Sequence, residues 1–284
     1  MYKRSEGFFK GYQDANLFFQ VWEPTRPIKG TMIITHGQGE HSEAYIRLID
    51  AFQDDCWRIY AWDLRGHGRS EGRRGFVADF DDYCRDFKIF IDQVMAMPEV
   101  AKNPVVLFCH SMGATVQLKS VIRNPDIKAA AMILSAPLLG VALPVPAYKA
   151  TAAGVLNSFL PQVTLGNEIT NDMLTRDPDV VREFEHDALR HNRISSGAFL
   201  GMMEAFEFII PRASDVKLPT LMAISDTDPV VSTSKAVEFF ENMGSKKKEL
   251  KLYPGAKHEI VNDIIRKDVF QDFKKYLDQI LESK

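Results

Sequence analysis

Apolar positions gather into short runs separated by stretches of helical spacing. Residues 31–35, Thr-Met-Ile-Ile-Thr, form an apolar run of the kind expected for a strand buried on both faces. Similar strand signals occur at 58–62, 104–109, 129–134, 219–224 and 250–253. Helical spacing fills residues 43–52, 80–97, 112–122 and 264–281. Acidic residues stand early in the 80–97 stretch, where the helix dipole favours them. Before this rhythm begins, residues 8–22 read as two short strands around a turn at 13–16. Alternation of this kind predicts an α/β fold, a mostly parallel sheet flanked by helices.

The rhythm breaks after Pro137. From 138 to 210 no convincing strand is found; Pro144, Pro146 and Pro161 interrupt the segment. Charged helical stretches follow around 180–190 and 198–208. Residues 140–211 therefore read as a helical cap, inserted into an α/β core made of 1–139 and 212–284. No internal repeat is evident.

Composition narrows the class. The chain has 284 residues, 45% hydrophobic and 26% charged, enough for one large α/β domain or a core with a modest insertion. A net charge of −3 gives no basic excess for nucleic acid. The lysine run 246–248 reads as a solvated turn before a strand. Three cysteines, Cys56, Cys84 and Cys109, are widely spaced, which favours reduced thiols and a cytoplasmic location. No secretory signal is seen near the first residues, and no run of about 18 apolar residues could span a bilayer.

Cys109-His110-Ser111-Met112-Gly113 falls where a strand passes into a helix. A serine hydroxyl becomes a useful nucleophile only when held exposed on a sharp turn beside a base. The G-x-S-x-G elbow of α/β-hydrolases does this. Gly113 fits it, and Cys109 stands at the first glycine; a small cysteine should leave the elbow intact with slight crowding.

In that fold the acid and then the histidine follow the serine along the chain, on loops at the carboxyl ends of strands. His258, after the last strand, is the candidate base. Asp226 and Asp228, after the strand ending at 224, are candidate acids that would orient it. The loop His36-Gly37-Gln38-Gly39-Glu40-His41 could supply backbone N–H groups to an oxyanion. Gln38 is the candidate there, with the N–H of Met112 as its partner. His36 and His41 read as braces of this loop. Asp63-Leu64-Arg65-Gly66-His67-Gly68-Arg69-Ser70 reads as a supporting turn; no metal and no cofactor are implied.

Taken together, His-Gly-x-Gly-Glu-His-Ser at 36–42, Asp-x-x-Gly-His-Gly-x-Ser-Glu-Gly at 63–72 and His-Ser-Met-Gly at 110–113 resemble the monoacylglycerol lipase and lysophospholipase group of α/β-hydrolases. Ser135-Ala136-Pro137-Leu138 and Leu156-Asn157-Ser158-Phe159-Leu160-Pro161 resemble that group's entry into the cap. The resemblance implies an eight-stranded, mostly parallel sheet with the cap after the sixth strand. It implies a triad of Ser111, Asp228 and His258, with Gln38 and Met112 at the oxyanion positions. Ser225 stands for a glycine common before the acid, and Ala114 for one common after the elbow. Glu43-Ala44 replaces a Gly-Arg pair found in some monoacylglycerol lipases.

The implied activity is hydrolysis of a carboxylic ester carrying one long acyl chain, with monoacylglycerol as first substrate and lysophospholipid as alternative. A proline-type serine peptidase and a non-catalytic ligand-binding module are the readings from other classes. Apolar runs at 138–143, 155–156 and 159–160 suggest an acyl tunnel or peripheral membrane contact through the cap. Arg190, His191 and Arg193 form a thin basic cluster, read as solvated. Nothing in the sequence indicates an oligomeric state.

Overall fold

The computed structural model describes residues 2–142 and 147–282. Its strands are β1 (Tyr2–Lys10), β2 (Asn16–Pro24), β3 (Gly30–Thr35), β4 (Trp57–Trp62), β5 (Val105–His110), β6 (Ala131–Ser135), β7 (Thr164–Gly166), β8 (Arg193–Ser195), β9 (Thr220–Ser225) and β10 (Lys248–Tyr253). Its helices are α1 (Ile46–Ala51), α2 (Asp81–Ala96), α3 (Pro98–Ala101), α4 (Met112–Arg123), α5 (Ala147–Phe159), α6 (Asn171–Leu174), α7 (Pro178–His186), α8 (Ser196–Ile209), α9 (Thr233–Asn242) and α10 (Arg266–Glu282).

Among the described residues, eight strands form one sheet in the order β1-β2-β4-β3-β5-β6-β9-β10. The β1–β2 and β2–β4 pairs are antiparallel and the rest parallel. This is the α/β-hydrolase arrangement expected from the sequence.

The central strands are apolar throughout because both faces are covered. Ile33, Leu107, Cys109, Met132 and Leu134 join one core with residues of α2, α4 and α9. Their neighbours Met32, Ile34, Val106, Phe108 and Ile133 join a second core with residues of α1 and α10. Period-two alternation thus sorts side chains between two cores instead of between core and water. In register, Thr35 lies opposite Cys109, His110 opposite Ser135, and Ser225 opposite Tyr253. The parallel strands therefore end together at one edge, and their loops converge there.

Several expectations are corrected. The first helical stretch opens as a 3-10 turn, Ser42–Tyr45, before α1. The segment between β6 and β9 does contain strands: β7 and β8 pair antiparallel. Each is only three residues long, too short to show a period. α9 was not anticipated; Ser232 caps its start by accepting the Lys235 N–H. Lys248 is no solvated turn residue. Its Nζ donates to the carbonyls of Phe240 at 2.7 Å, Glu241 at 2.8 Å and Met243 at 3.0 Å, satisfying the open end of α9. Leu143, Pro144 and Pro146, part of the expected cap entry, lie outside the described residues. No helix among the described residues is long and apolar enough to cross a membrane.

Candidate active site

Ser111 sits between β5 and α4 with φ +50° and ψ −120°, a backbone region costly for a residue with a Cβ. Its surroundings over-determine it. The Ser111 N–H donates to the Ser135 carbonyl at 3.1 Å, and its own carbonyl accepts from Ala114 at 3.0 Å and Leu138 at 3.1 Å. Gly113 permits the sharp exit: a Cβ there would lie 2.3 Å from the Thr35 carbonyl oxygen and 2.5 Å from that of His36. Cys109 needs no glycine. Its side chain is buried in the core, with Sγ 3.6 Å from the Ile133 carbonyl oxygen, and burial raises its pKa well above that of a free thiol.

Ser111 Oγ lies 2.9 Å from His258 Nε2, and His258 Nδ1 lies 2.8 Å from Asp228 Oδ2. The other Asp228 oxygen accepts from the N–H groups of Val230 at 2.8 Å and Val231 at 3.0 Å. Asp226 points elsewhere: its Oδ1 accepts from Gly255 N–H at 2.8 Å and ties the β9 and β10 loops together. Burial opposes a charge on His258, but the Asp228 charge and hydrogen bond outweigh it and raise the imidazole pKa. Asp228 moves the opposite way: burial favours its neutral form, and His258 with the two valine N–H groups holds its pKa below the ordinary value.

The loop after β3 wraps beside Ser111. His36 Nδ1 donates to the Gly37 carbonyl at 2.7 Å and its Nε2 accepts from Leu64 N–H at 2.9 Å, so the ring braces the loop against the 63–70 turn. Burial drops its pKa to about 3. Asp63 continues the bracing, accepting from Ser42 and Arg69 N–H groups, each at 2.7 Å. His41 Nε2 meets Asp187 Oδ2 at 2.7 Å. Met112 opens α4, so its N–H has no partner within the helix and the dipole favours negative charge beside it.

A cleft of about 380 Å³ lies over Ser111 and His258. Its walls include Gln38, Asn167, Asn171, Arg190 and Asn192, with Leu174 and Phe184. The walls are more polar than an acyl tunnel requires. Among the described residues, the apolar ones expected to line such a tunnel are absent from the walls of the cleft. Leu138 and Leu139 are buried in the core, whereas Val155, Phe159 and Leu160 are exposed, Phe159 at 80%.

The basic cluster is also corrected. Arg190 is not solvated: it grips Glu259 with two hydrogen bonds, at 3.0 and 3.1 Å, and its Nη2 lies 3.6 Å from Glu40 Oε2. Neither Glu40 nor Glu259 is legible as functional from the sequence alone, although Glu40 lies two residues from Gln38 and Glu259 directly follows His258. His110 was also missed. Its ring packs on that of His258, centroids 4.8 Å apart, and burial lowers its pKa to about 3. It therefore adds no charge next to His258 near neutrality.

A serine on a strained strand–helix turn, hydrogen-bonded to a histidine and through it to a buried aspartate, on this sheet, places the chain in the α/β-hydrolase class. The chain belongs to the hydrolase family described as "Serine aminopeptidase, S33", whose model matches residues 26–264. It is 27% identical over 275 residues to a monoacylglycerol lipase of Mycolicibacterium smegmatis, covering 96% of this chain and 97% of that protein. It is 27% identical over 262 residues to phospholipase YtpA of Bacillus subtilis, covering 92% and 99% respectively. A soluble variant of monoglyceride lipase from Saccharomyces cerevisiae, solved with a substrate analog, has the same fold: TM-score 0.85 at 21% identity, over 96% of this chain and 94% of that one.

Proposed function

We propose that this chain is a carboxylic ester hydrolase that releases the fatty acid from monoacylglycerol through an acyl-enzyme on Ser111. The observation that carries this reading is the unbroken Ser111–His258–Asp228 hydrogen-bonded chain at the floor of a cleft. His258 Nε2 takes the proton from Ser111 Oγ as the oxygen attacks the ester carbonyl carbon. The N–H groups of Gln38 and Met112 hold the oxyanion that forms. Collapse breaks the carbon–oxygen bond, and His258 returns its proton to the departing glycerol oxygen. Water, activated by the same imidazole, then releases the fatty acid.

Lysophospholipid hydrolysis is the second reading, favoured by the likeness to YtpA. The charges of the cleft argue against it. Glu40, Glu185, Asp187 and Glu259 line it, and Arg190, which also lines it, is already engaged by Glu259 and Glu40. A phosphate would meet net negative charge, whereas the asparagines suit the hydroxyls of glycerol.

Residues 140–211 serve as the cap over a core of 1–139 and 212–284. Val155, Phe159, Leu160 and Leu165 expose apolar surface on this cap, which we read as its contact with lipid. The setting is the cytoplasm, with peripheral membrane attachment.

Two measurements test the reading. A fluorophosphonate should label Ser111, located by peptide mapping; an adduct on another residue would overturn the mechanism. Rates across monoacylglycerols, lysophospholipids, short esters and proline peptides should be highest for monoacylglycerols. Faster turnover of proline peptides would assign the chain to the peptidases of its family instead.

A further inference from the structure

A strap of cap residues, 187–193, is fastened to the loop that carries Gln38. Beyond the Asp187–His41 pair, His191 N–H donates to the Gly39 carbonyl at 2.9 Å, and Gln38 Nε2 donates to the Arg193 carbonyl at 2.6 Å. Arg190 stands in the middle of the strap. Its guanidinium reaches carboxylates on two separate loops: Glu259, next to His258, and Glu40, two residues from Gln38.

Each carboxylate is anchored in its own loop. Glu40 Oε1 accepts from the Gly37 N–H and from Tyr45 Oη, the latter at 2.7 Å, so it fixes the turn on which Gln38 sits. Glu259 Oε2 also accepts from Asn262 Nδ2 at 2.7 Å, and the Glu259 N–H donates to the Leu174 carbonyl of α6 at 2.7 Å. The guanidinium carbon lies 3.5 Å from the centroid of the Phe184 ring, which covers one face of the group. A guanidinium is the side chain suited to this position, because its planar fork grips one carboxylate with two bonds and can approach a second.

We propose that Arg190 is a positioning residue of the catalytic site: it holds the Gln38 loop and the His258 loop in register and makes the oxyanion hole dependent on the cap strap. Although it lines the cleft, its guanidinium is engaged by Glu259 and Glu40 and makes no hydrogen bond to Ser111, so it acts on the reaction through those two carboxylates. Without it, Glu40, whose pKa burial and the Glu259 charge already raise to about 7, takes up a proton, and the ion pairs that tie the two loops together are lost. The proposal rests on the ester-hydrolase reading, because it concerns the same oxyanion.

The test uses the full chain and p-nitrophenyl butyrate, an ester without a glycerol head group, alongside a monoacylglycerol. Arg190→Gln should lower kcat on both by about 10²-fold, the loss expected when reacting groups are misplaced by about 1 Å. KM for the short ester should stay nearly constant. Arg190→Lys keeps the cation and the fold but loses the fork, so its kcat should fall between wild type and Arg190→Gln. In a Glu40→Gln background the Arg190→Gln change should cost less than it does alone, because the two act as a unit. Unchanged kcat in Arg190→Lys overturns the proposal, also where Arg190→Gln does not fold. So does a defect confined to KM for the monoacylglycerol, which would make Arg190 a head-group contact. Additive costs of Arg190→Gln and Glu40→Gln would overturn it too. A wild-type protein inactive on every ester, and unlabelled at Ser111, is a different result: it removes the ester-hydrolase reading itself.

Discussion

Asp228 Oδ2 lies 2.8 Å from His258 Nδ1, while Asp226, two positions earlier on the same loop, bonds to the Gly255 backbone. Spacing in the sequence left both aspartates open, and only one reaches the imidazole. Asp228→Asn is therefore expected to lower kcat by about 10⁴-fold, the scale seen when the acid behind a catalytic histidine is neutralised. Asp226→Asn should cost little turnover and a modest amount of stability. Steady-state rates for the two variants check this; a larger loss in Asp226→Asn would reverse the assignment.

The same pair sets a pH dependence. In the proposed mechanism His258 acts as a base only when neutral, and Asp228 raises its pKa above the ordinary imidazole value of about 6.5. The acid limb of kcat/KM should accordingly have its midpoint above that value. Stability moves the other way. A raised folded-state pKa contributes stability that is fully present below the unfolded value and is lost as pH rises through the folded one. The stability advantage of wild type over Asp228→Asn should shrink across that interval, as denaturant titrations at several pH values would show. An acid limb centred below the ordinary value would contradict the pairing.

Cys109 and Gly113 flank the elbow but should respond to substitution in different ways. Cys109→Gly removes a small buried side chain from a strand and should cost roughly 0.5–3 kcal/mol of stability with activity retained. Gly113→Ala would put a methyl 2.3 Å from the Thr35 carbonyl oxygen, in backbone and not in flexible side chain. It should cost more than about 4 kcal/mol or prevent folding. Denaturant midpoints separate the two, and a Gly113→Ala protein as stable as wild type would show that α4 can move away from β3.

Much of the fold was legible because its local and global signals agree. Runs such as Met32–Ile33–Ile34 are apolar at every position, and each neighbouring pair feeds a different core. The elements that escaped lack such a signal. β7 and β8 are three residues each and pair across residues 167–192. The fate of Arg190 was hidden for a related reason. Its partner Glu259 is 69 residues away, and the strap had no helical or strand period to place it. A charge in a polar loop reads as solvated until the fold brings an opposite charge to it. Ser111, by contrast, lies on a turn whose neighbours announce it locally.

Phe159 and Leu160, 80% and 56% exposed, provide a test of the proposed lipid contact. Replacing both with serine should weaken binding to phosphatidylcholine vesicles by about 1.5 kcal/mol or more per side chain, roughly tenfold each. Turnover of a dissolved short ester should be unaffected, because neither residue lines the cleft. Equal co-sedimentation of variant and wild type would remove the contact from this surface.

Gly39 offers the most direct test of the proposed oxyanion loop. Its φ is +76°, and a Cβ there would lie 2.1 Å from the His191 carbonyl oxygen on the strap. Two independent constraints, backbone angle and close approach, thus exclude a side chain from the residue that follows Gln38. Gly39→Ala must push the strap and the loop apart, which displaces the Gln38 N–H. The Ser111–His258–Asp228 chain makes no contact with Gly39 through that Cβ and should persist. The expected result is a kcat lowered by about 10²–10³-fold, comparable to losing one oxyanion donor. Stability should fall less steeply than in Gly113→Ala, because the strap lies at the surface of the core and can yield. Rates on a short ester, paired with a denaturant titration, distinguish these outcomes. Wild-type kcat in a folded Gly39→Ala protein would mean that the second donor to the oxyanion is not on this loop.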